Sequence, residues 1–164
     1  MLRALLETAK EGCCVDCGYS YPRQAMDFDH RPGVVKRFDL SKSLGTRYAL
    51  DTVREEIAKC DLVCANCHRI RTEARRPSPK KDASKQTLVY RELRDWVNSI
   101  KNTPCEGCHR IFAPTQMDFD HIDPSSKVRA VTMMIQRRYS RGTILEEIKK
   151  CRLLCVVCHR LRAD

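Results

Sequence analysis

The sequence predicts an α+β protein made of two small domains in tandem, each held together by clustered cysteines. Three observations predict this fold class: a gapless internal repeat, paired Cys-x-x-Cys motifs in both copies, and the same order of helical and extended patterns in each copy. The chain of 164 residues fits two domains of about 80 residues. Domains of that size bury little apolar surface and usually need additional cross-links.

The internal repeat has an offset of 91 residues. The pentapeptide Met-Asp-Phe-Asp-His occurs at Met26–His30 and again at Met117–His121. When residues 1–73 are aligned with residues 92–164 without a gap, 25 of the 73 pairs are identical. An identity of this size in a single register indicates a tandem duplication.

The stretch between the copies, residues 71–87, is basic and polar. It contains a Pro-Ser-Pro sequence, many charges and almost no large apolar residue, which is typical of an exposed linker. We therefore predict a first domain at 1–78, a basic linker at 79–87 and a second domain at 88–164. The linker could also contact phosphate.

Each copy is predicted to begin with a helix, at 2–10 in the first and 89–101 in the second, where apolar residues recur at helical spacing. A Cys-x-x-Cys turn follows, and then a short strand that ends in the pentapeptide. The segments after the pentapeptide, 31–46 and 122–137, differ between the copies and are predicted to be variable basic loops.

The second half of each copy is predicted to contain a helix, a strand and a final helix. A Thr-x-x-Glu capping box, beginning at Thr52 in one copy and at Thr143 in the other, predicts the start of the first of these helices. Short apolar strands are expected at 61–64 and 152–155. The final helix carries Cys-His-Arg in both copies.

The charge and the cysteine content restrict the class of partner and the compartment. Thirty-one Lys and Arg residues against twenty-one Asp and Glu give a net charge of +10, which favours nucleic acid first and an acidic membrane surface second. A basic protein without a polyanionic partner is the alternative. The polar N-terminal sequence and the absence of a long apolar stretch predict a cytoplasmic protein without membrane association, in which clustered cysteines bind metal.

Eight of the eleven cysteines form two pairs of Cys-x-x-Cys motifs. Four thiolates complete a tetrahedral zinc shell that leaves no position for water, so both zinc ions would be structural. A redox pair or unligated thiols are less favoured, because no thioredoxin-like βαβ pattern accompanies the motifs. The predicted ligands of the two structural Zn²⁺ ions are Cys14, Cys17, Cys64 and Cys67 in the first copy, and Cys105, Cys108, Cys155 and Cys158 in the second.

Four other residues bear on the zinc assignment. Cys13 could replace Cys14, but Pro104 is at the position that corresponds to Cys13, so Cys14 is preferred. His109 directly follows a cysteine and is a weaker alternative ligand. The remaining cysteines are predicted to be buried core thiols: Cys60 and Cys151.

Each copy also retains two aspartates, the histidine that ends the pentapeptide, and a later histidine after the last zinc cysteine. One carboxylate and one imidazole could hold a divalent ion with open positions, and a neighbouring imidazole could act as a general base. A polar strand end with a structural role, or a second zinc ligand set, is the alternative.

The order Cys-x-x-Cys, Asp-His and Cys-x-x-Cys-His-Arg resembles that of the HNH endonuclease family, in its zinc-stapled members with four cysteine ligands and a ββα-metal finger. The resemblance covers about residues 13–72 and 104–163. It implies two tandem ββα-metal domains with extra helices. The family further implies a prokaryotic or phage-encoded protein that acts on DNA, with RNA as the other substrate class.

The resemblance also implies a role for each remaining site residue. Asp29 and His68, and in the second copy Asp120 and His159, would bind a catalytic Mg²⁺, Mn²⁺ or another divalent ion. The histidines that would activate water are His30 and His121. The arginines that would bind the DNA backbone, for which a solvated surface is the alternative, are Arg69, Arg71, Arg160 and Arg162.

The chain departs from the family pattern at the middle asparagine, since Lys59 and Lys150 lie near its usual place. Asn66 is a candidate orienting residue, but Val157 replaces it in the second copy. We therefore expect the first copy to be the more active. The predicted function is a metal-dependent DNA endonuclease whose single chain acts as a pseudo-dimer, nicking or cutting both strands. The alternatives are a non-catalytic zinc-stabilised nucleic-acid-binding module and an adaptor in a DNA-processing complex.

Overall fold

Each copy of the repeat contains a pair of antiparallel strands followed directly by a helix. This computed structural model describes residues 1–45, 48–77 and 84–162. The chain divides into two compact units, Met1–Arg71 (unit 1) and Thr72–Ala163 (unit 2). Most of the predicted linker, 79–83, lies outside the described residues. The mixture of helices and small antiparallel sheets confirms the α+β class.

In unit 1 the strands are separated by a helix and a long connection. The elements are α1 (Leu2–Thr8), β1 (Met26–His30), α2 (Leu50–Ile57), β2 (Cys60–Cys64) and α3 (Ala65–Ala74), with short 3₁₀ turns at Arg23–Ala25 and Leu40–Gly45.

Unit 2 repeats this order and adds a helix between the strands. The elements are α4 (Lys85–Ile100), β3 (Met117–His121), α5 (Val131–Gln136), α6 (Arg141–Ile148), β4 (Cys151–Cys155) and α7 (Val156–Arg162), with 3₁₀ turns at Pro114–Gln116 and Pro124–Ser126.

The repeated pentapeptide is itself the strand β1, and not only the end of one. Side chains alternate across a strand, so Met26 and Phe28 face the apolar core while the two aspartates face α3. Met26 is fully buried, and Phe28 packs on the core formed by Leu6, Leu40 and Val53. Because its side chains alternate between two faces, the polar pentapeptide contributes to the apolar core on one face and presents aspartates to α3 on the other.

The prediction of a variable loop at 122–137 was wrong for its last third, because Val131–Gln136 forms helix α5. Val131, Met134 and Ile135 are spaced to lie on one helical face, and all three are buried in the unit 2 core. This helix gives unit 2 a larger apolar cluster than the unit 1 cluster around Val53.

The predicted capping boxes were also wrong, since both helices begin earlier than Thr52 and Thr143. In α6 the N-cap is Ser140, whose Oγ accepts a hydrogen bond from the backbone N–H of Thr143 at 3.1 Å. In α2 the corresponding N-cap is Ala49, which provides no side-chain acceptor.

The opening helices differ from their predicted bounds by a few residues. Helix α1 ends at Thr8 instead of residue 10, and α4 begins at Lys85 instead of residue 89. The early start of α4 has a local cause, because Ser84 Oγ accepts from the backbone N–H of Thr87 and caps the helix. Helix α4 therefore starts within the predicted linker.

None of the helices in the described part of the chain is long and apolar enough to cross a membrane.

Candidate metal centres

Each unit brings its four predicted zinc cysteines into one cluster. Within each cluster all four Sγ atoms lie within 4.8 Å of one another. Zinc–sulfur bonds of about 2.3 Å in a tetrahedron place the sulfur atoms about 3.8 Å apart, close to the 3.9 Å between Cys17 Sγ and Cys64 Sγ. The clusters therefore fit two structural zinc ions, and the unit 1 cluster contains Cys14 and not the exposed Cys13.

The first motif of each cluster is a tight turn closed by backbone hydrogen bonds. The N–H of Gly18 donates to Cys14 O at 2.8 Å, and the N–H of His109 donates to Cys105 O at 2.7 Å. Both donors adopt left-handed conformations, with φ of 72° for Gly18 and 58° for His109. His109 is therefore a turn residue outside the four-cysteine set, and the structure favours the cysteines over this weaker alternative ligand.

The thiols of one cluster have very different pKa values. Burial alone would raise the pKa of Cys14, but backbone N–H groups, chiefly that of Cys64, donate to its sulfur and lower the pKa to about 7. The pKa of Cys105 is lowered to about 7 in the same way, against the effect of burial and chiefly by the N–H of Cys155. Burial and the neighbouring thiol of Cys64 raise the pKa of Cys67. Each cluster thus provides one readily ionised thiol, whereas the thiols with a raised pKa, such as Cys67 and Cys158, need a cation nearby before they ionise.

Cys60 and Cys151, which lie outside the clusters, were predicted to be buried core thiols. In the structure both are half-buried. Cys60 Sγ donates to Glu56 O, and Cys151 Sγ donates to Glu147 O, each at 3.4 Å. Burial, followed by the negative charge of the nearby glutamate, raises the pKa of each thiol to about 11. They are therefore protonated structural groups at neutral pH.

The aspartates of β1 meet the first turns of α3. His68 Nδ1 is hydrogen-bonded to Asp27 Oδ2 at 2.9 Å, and His68 Nε2 lies 3.7 Å from Asp29 Oδ1. Because His68 directly follows the zinc ligand Cys67, the cluster fixes the start of the helix that carries it. The structure therefore brings together the predicted ligand pair of unit 1.

Unit 2 holds the corresponding pair in the same way. His159 Nδ1 lies 3.2 Å from Asp118 Oδ2, and His159 Nε2 lies 3.5 Å from Asp120 Oδ1. The side chain of Asp120 is 16% exposed, whereas that of Asp29 is 5% exposed. Asp27 and Asp118 orient the imidazoles through Nδ1, a role that the sequence did not assign. The alternation of a strand could have revealed it, since residues two apart share a face.

The predicted general bases lie on the other side of the strand. His30 Nε2 is hydrogen-bonded to Glu56 Oε1 of α2 at 2.8 Å, and His121 Nε2 to Glu147 Oε1 of α6 at 2.8 Å. Consecutive strand residues point to opposite faces, so His30 is held by α2 while Asp29 is held by α3. The side chain of His30 is 17% exposed and that of His121 is 7% exposed.

Glu56 is the centre of this second network, and sequence reasoning missed it. Its side chain has no exposed surface, and it accepts hydrogen bonds from Lys59 Nζ at 2.7 Å and from the backbone N–H of Arg37 at 2.8 Å. Burial would raise its pKa, but these donors and His30 outweigh that effect and lower the pKa to about 2. Glu147 has equivalent contacts with Lys150 and the Val128 N–H, and its pKa is also lowered to about 2.

The sequence contained one signal for these glutamates. The pattern Glu-Glu-Ile-x-Lys-Cys is the same in both copies, at residues 55–60 and 146–151. The capping-box interpretation assigned a role only to the first glutamate of the pair. In the structure the first is exposed and the second is buried.

The predicted DNA-binding arginines fall into two groups. Arg69 and Arg160 are exposed. Arg71 is engaged by carboxylates: its guanidinium donates to Asp16 at 2.7 and 2.8 Å, to Asp61 at 2.8 Å and to Asp29 at 3.0 Å. Arg162 Nη1 donates to Asp120 and, at 3.4 Å, to the backbone oxygen of His121. The DNA-binding role of all four stays a prediction.

Asn66, the candidate orienting residue, is buried at the start of α3. The partner that the structure gives to His30 is Glu56. The orienting role of Asn66 stays a prediction.

Comparisons of the chain with protein-family models, with curated proteins and with solved structures find no match.

Proposed function

We propose that the chain is a metal-dependent endonuclease of the HNH type that hydrolyses phosphodiester bonds in DNA. One observation carries the proposal: in each unit, a strand–strand–helix element with a four-cysteine cluster at its base presents an aspartate–histidine pair on one face of the strand, and the following strand residue is a histidine held on the opposite face by a buried glutamate. The net charge of +10 supports a polyanionic substrate.

Asp29 Oδ1 and His68 Nε2 would hold the divalent ion in unit 1, and Asp120 and His159 would do so in unit 2. Adjacent ligands at about 2.1 Å from an octahedral ion lie about 3.0 Å apart. The observed separations are 3.7 and 3.5 Å, so each pair would close by about 0.5–0.7 Å to hold an ion. Two protein ligands leave several positions for water and phosphate oxygens. When bound, the metal would stabilise the negative charge that develops on the phosphate and on the departing oxygen.

His30 would take the proton of the attacking water. Glu56 accepts or shares a proton at Nε2, so it fixes the ring and stabilises the imidazolium that proton abstraction produces. Asp27 holds His68 through Nδ1, which directs Nε2 toward Asp29. Arg69 and Arg160, which are exposed and directly follow the histidines of the metal pairs, would contact the phosphate backbone.

The second candidate is a non-catalytic, zinc-stabilised module that binds nucleic acid. It is favoured by the contacts of the acids themselves, because Asp29 is paired with Arg71 and Glu56 with Lys59. Buried acids that are fully paired need no metal to be stable.

The two candidates are separated by incubating supercoiled plasmid with the zinc-loaded chain and Mg²⁺ or Mn²⁺, and measuring plasmid binding in parallel. An endonuclease converts the plasmid to nicked or linear DNA. His30→Ala, His121→Ala and the double variant report which base contributes, and linear product that becomes nicked product in each single variant indicates two working sites. Binding without cleavage under every metal rejects the nuclease and supports the binding module.

A further inference from the structure

The strand register places different charges opposite the two metal-pair aspartates. In unit 1, Asp29 of β1 is paired with Asp61 of β2; in unit 2, Asp120 of β3 is paired with Arg152 of β4. Residues directly opposite in an antiparallel pair have Cβ atoms about 5 Å apart, and like charges there repel. Unit 1 therefore has a pair of carboxylates that share one guanidinium group, that of Arg71, whereas in unit 2 the carboxylate of Asp120 faces a guanidinium group directly across the strands.

Unit 1 surrounds its aspartate–histidine pair with more acidic than basic groups. Four carboxylates and two guanidinium groups form this environment, and together they carry a formal charge of −2. The groups are Asp16, Asp27, Asp29 and Asp61, with Arg71 on three of them and Arg31 at 3.7 Å from Asp61.

Unit 2 balances the same two strand carboxylates with basic groups. Arg152 Nε lies 3.3 Å from Asp120 Oδ2, and Arg162 Nη1 is bonded to the same carboxylate. Two carboxylates, Asp118 and Asp120, thus face two guanidinium groups, and the formal charge of this set is zero. Both guanidinium groups contact the carboxylate of Asp120, which is also the group that would have to ligate the ion.

The carboxylates that retain Arg71 in unit 1 have no counterparts in unit 2. Asp16 corresponds to Gly107, and Asp61 corresponds to Arg152. If Asp29 turned to a metal ion, Arg71 would keep its hydrogen bonds to Asp16 and Asp61. A cation that bound Asp120 would instead displace two guanidinium groups from that carboxylate. It would then lie beside their positive charges.

The close packing around Gly107 maintains this difference. A Cβ atom added to Gly107 would lie 3.1 Å from Cys158 Cβ and 3.2 Å from Cys158 Sγ, inside the zinc cluster. An aspartate at position 107, like that at position 16 in unit 1, would therefore require the side chain of Cys158 to shift by a few tenths of an ångström.

We propose that the duplicated centres have diverged, so that unit 1 binds the divalent ion while in unit 2 the guanidinium group of Arg152, supported by Arg162, takes its place on Asp120. This proposal rests on the proposed nuclease function, which assigns the aspartate–histidine pairs as the sites of the divalent ion. Unit 2 is then a centre without a divalent cation, in which two guanidinium groups pair with the carboxylate of Asp120. Like-charge repulsion of this kind predicts an affinity for a divalent ion at least about 100-fold weaker in unit 2.

The test is a Mn²⁺ titration of the full, zinc-loaded chain, followed by electron paramagnetic resonance of the free ion. The wild-type chain is expected to bind one Mn²⁺ that is lost in Asp29→Asn and retained in Asp120→Asn. Arg152→Asp, which copies unit 1, is expected to create a second site. Asp61→Arg, which copies unit 2, is expected to remove the first. Arg137→Asp makes the same charge change on an exposed residue and should leave the count at one.

Zinc content measured on every variant keeps the result interpretable, since two zinc ions per chain report that both clusters are intact. Two Mn²⁺ sites of equal affinity in the wild-type chain, or one site that is lost in Asp120→Asn, would overturn the divergence and leave the nuclease function standing. If the wild-type chain and Arg152→Asp both bind no Mn²⁺ while both retain two zinc ions, the nuclease function itself fails.

Discussion

Units 1 and 2 share their buried contacts and differ in the charges at the surface of the site. The four-cysteine cluster, the His–Glu–Lys network and the Asp–His–Asp arrangement occur in both units with distances that agree within about 0.3 Å. The half-exposed positions opposite the aspartates differ, with Asp61 in unit 1 and Arg152 in unit 2. Buried polar groups are costly to leave unpaired, whereas a charge at the rim can be reversed without unfolding the domain.

The largest effect is expected from the zinc clusters. Cys64→Ser should release one zinc ion and unfold unit 1, and Cys155→Ser should do the same to unit 2, because structural zinc contributes on the order of 10 kcal/mol or more to small domains. Metal analysis and resolved amide resonances of the other unit measure both effects. Cys13→Ser, on an exposed cysteine outside the cluster, is the control. Two zinc ions retained in either ligand variant would contradict the assignment.

The buried glutamates should give the next largest effect. Glu56→Gln leaves Lys59 and His30 with a neutral partner, and we expect a loss of about 3 kcal/mol in the free energy of unfolding of unit 1. Glu147→Gln should cost unit 2 a similar amount. Urea unfolding measures both. The neighbouring Glu55→Gln is a matched control, since the Glu55 side chain is exposed and should change stability by less than about 0.5 kcal/mol.

The same glutamates predict a dependence of stability on pH. Their pKa is lowered from 4.5 to about 2 in the folded protein. A carboxylate whose folded pKa is depressed stabilises the fold above its unfolded pKa, and this contribution disappears as pH falls. Each glutamate should therefore contribute up to about 3 kcal/mol that is lost between about pH 4.5 and pH 2. The difference in unfolding free energy between wild type and Glu56→Gln isolates this effect from acid release of zinc, and a difference that stays constant across that range would refute it.

The smallest effect is expected from the N-caps of α2 and α6. Ser140→Ala removes the bond to the Thr143 N–H and should destabilise unit 2 by about 1 kcal/mol, whereas Ala49→Ser should stabilise unit 1 by a similar or smaller amount. Thermal unfolding of the two variants measures the shift. Thr52→Ala serves as the comparison, because Thr52 lies inside α2 and does not cap it. An equal loss in Thr52→Ala would restore the capping box that the structure contradicts.

The sequence predicted the parts of each unit that depend on spacing. The zinc ligands follow from Cys-x-x-Cys pairs in register, and the strands follow from short apolar or alternating segments, because both signals are local. The position of His68 directly after a zinc ligand predicted that its side chain would lie near Asp29, and the structure places His68 Nε2 3.7 Å from Asp29 Oδ1.

The parts that the sequence did not predict depend on the tertiary surroundings of each residue. Glu56 and Glu55 are adjacent acids, and only the packing of α2 shows that Glu56 is buried beside His30. Helix α5 is short and forms where its apolar face meets α4, so the segment is typical of a loop when it is considered alone. The engagement of Arg71 by Asp16 required knowing that a residue 55 positions earlier lies beside it.

The tight contact between Gly107 and Cys158 also makes one difference between the copies harder to reverse than the other. A substitution at position 107 that adds a side chain requires Cys158, a member of the four-cysteine cluster, to shift by a few tenths of an ångström. An aspartate gained at position 107 would therefore press on the unit 2 zinc cluster, whereas the change of Arg152 to aspartate would not involve that contact.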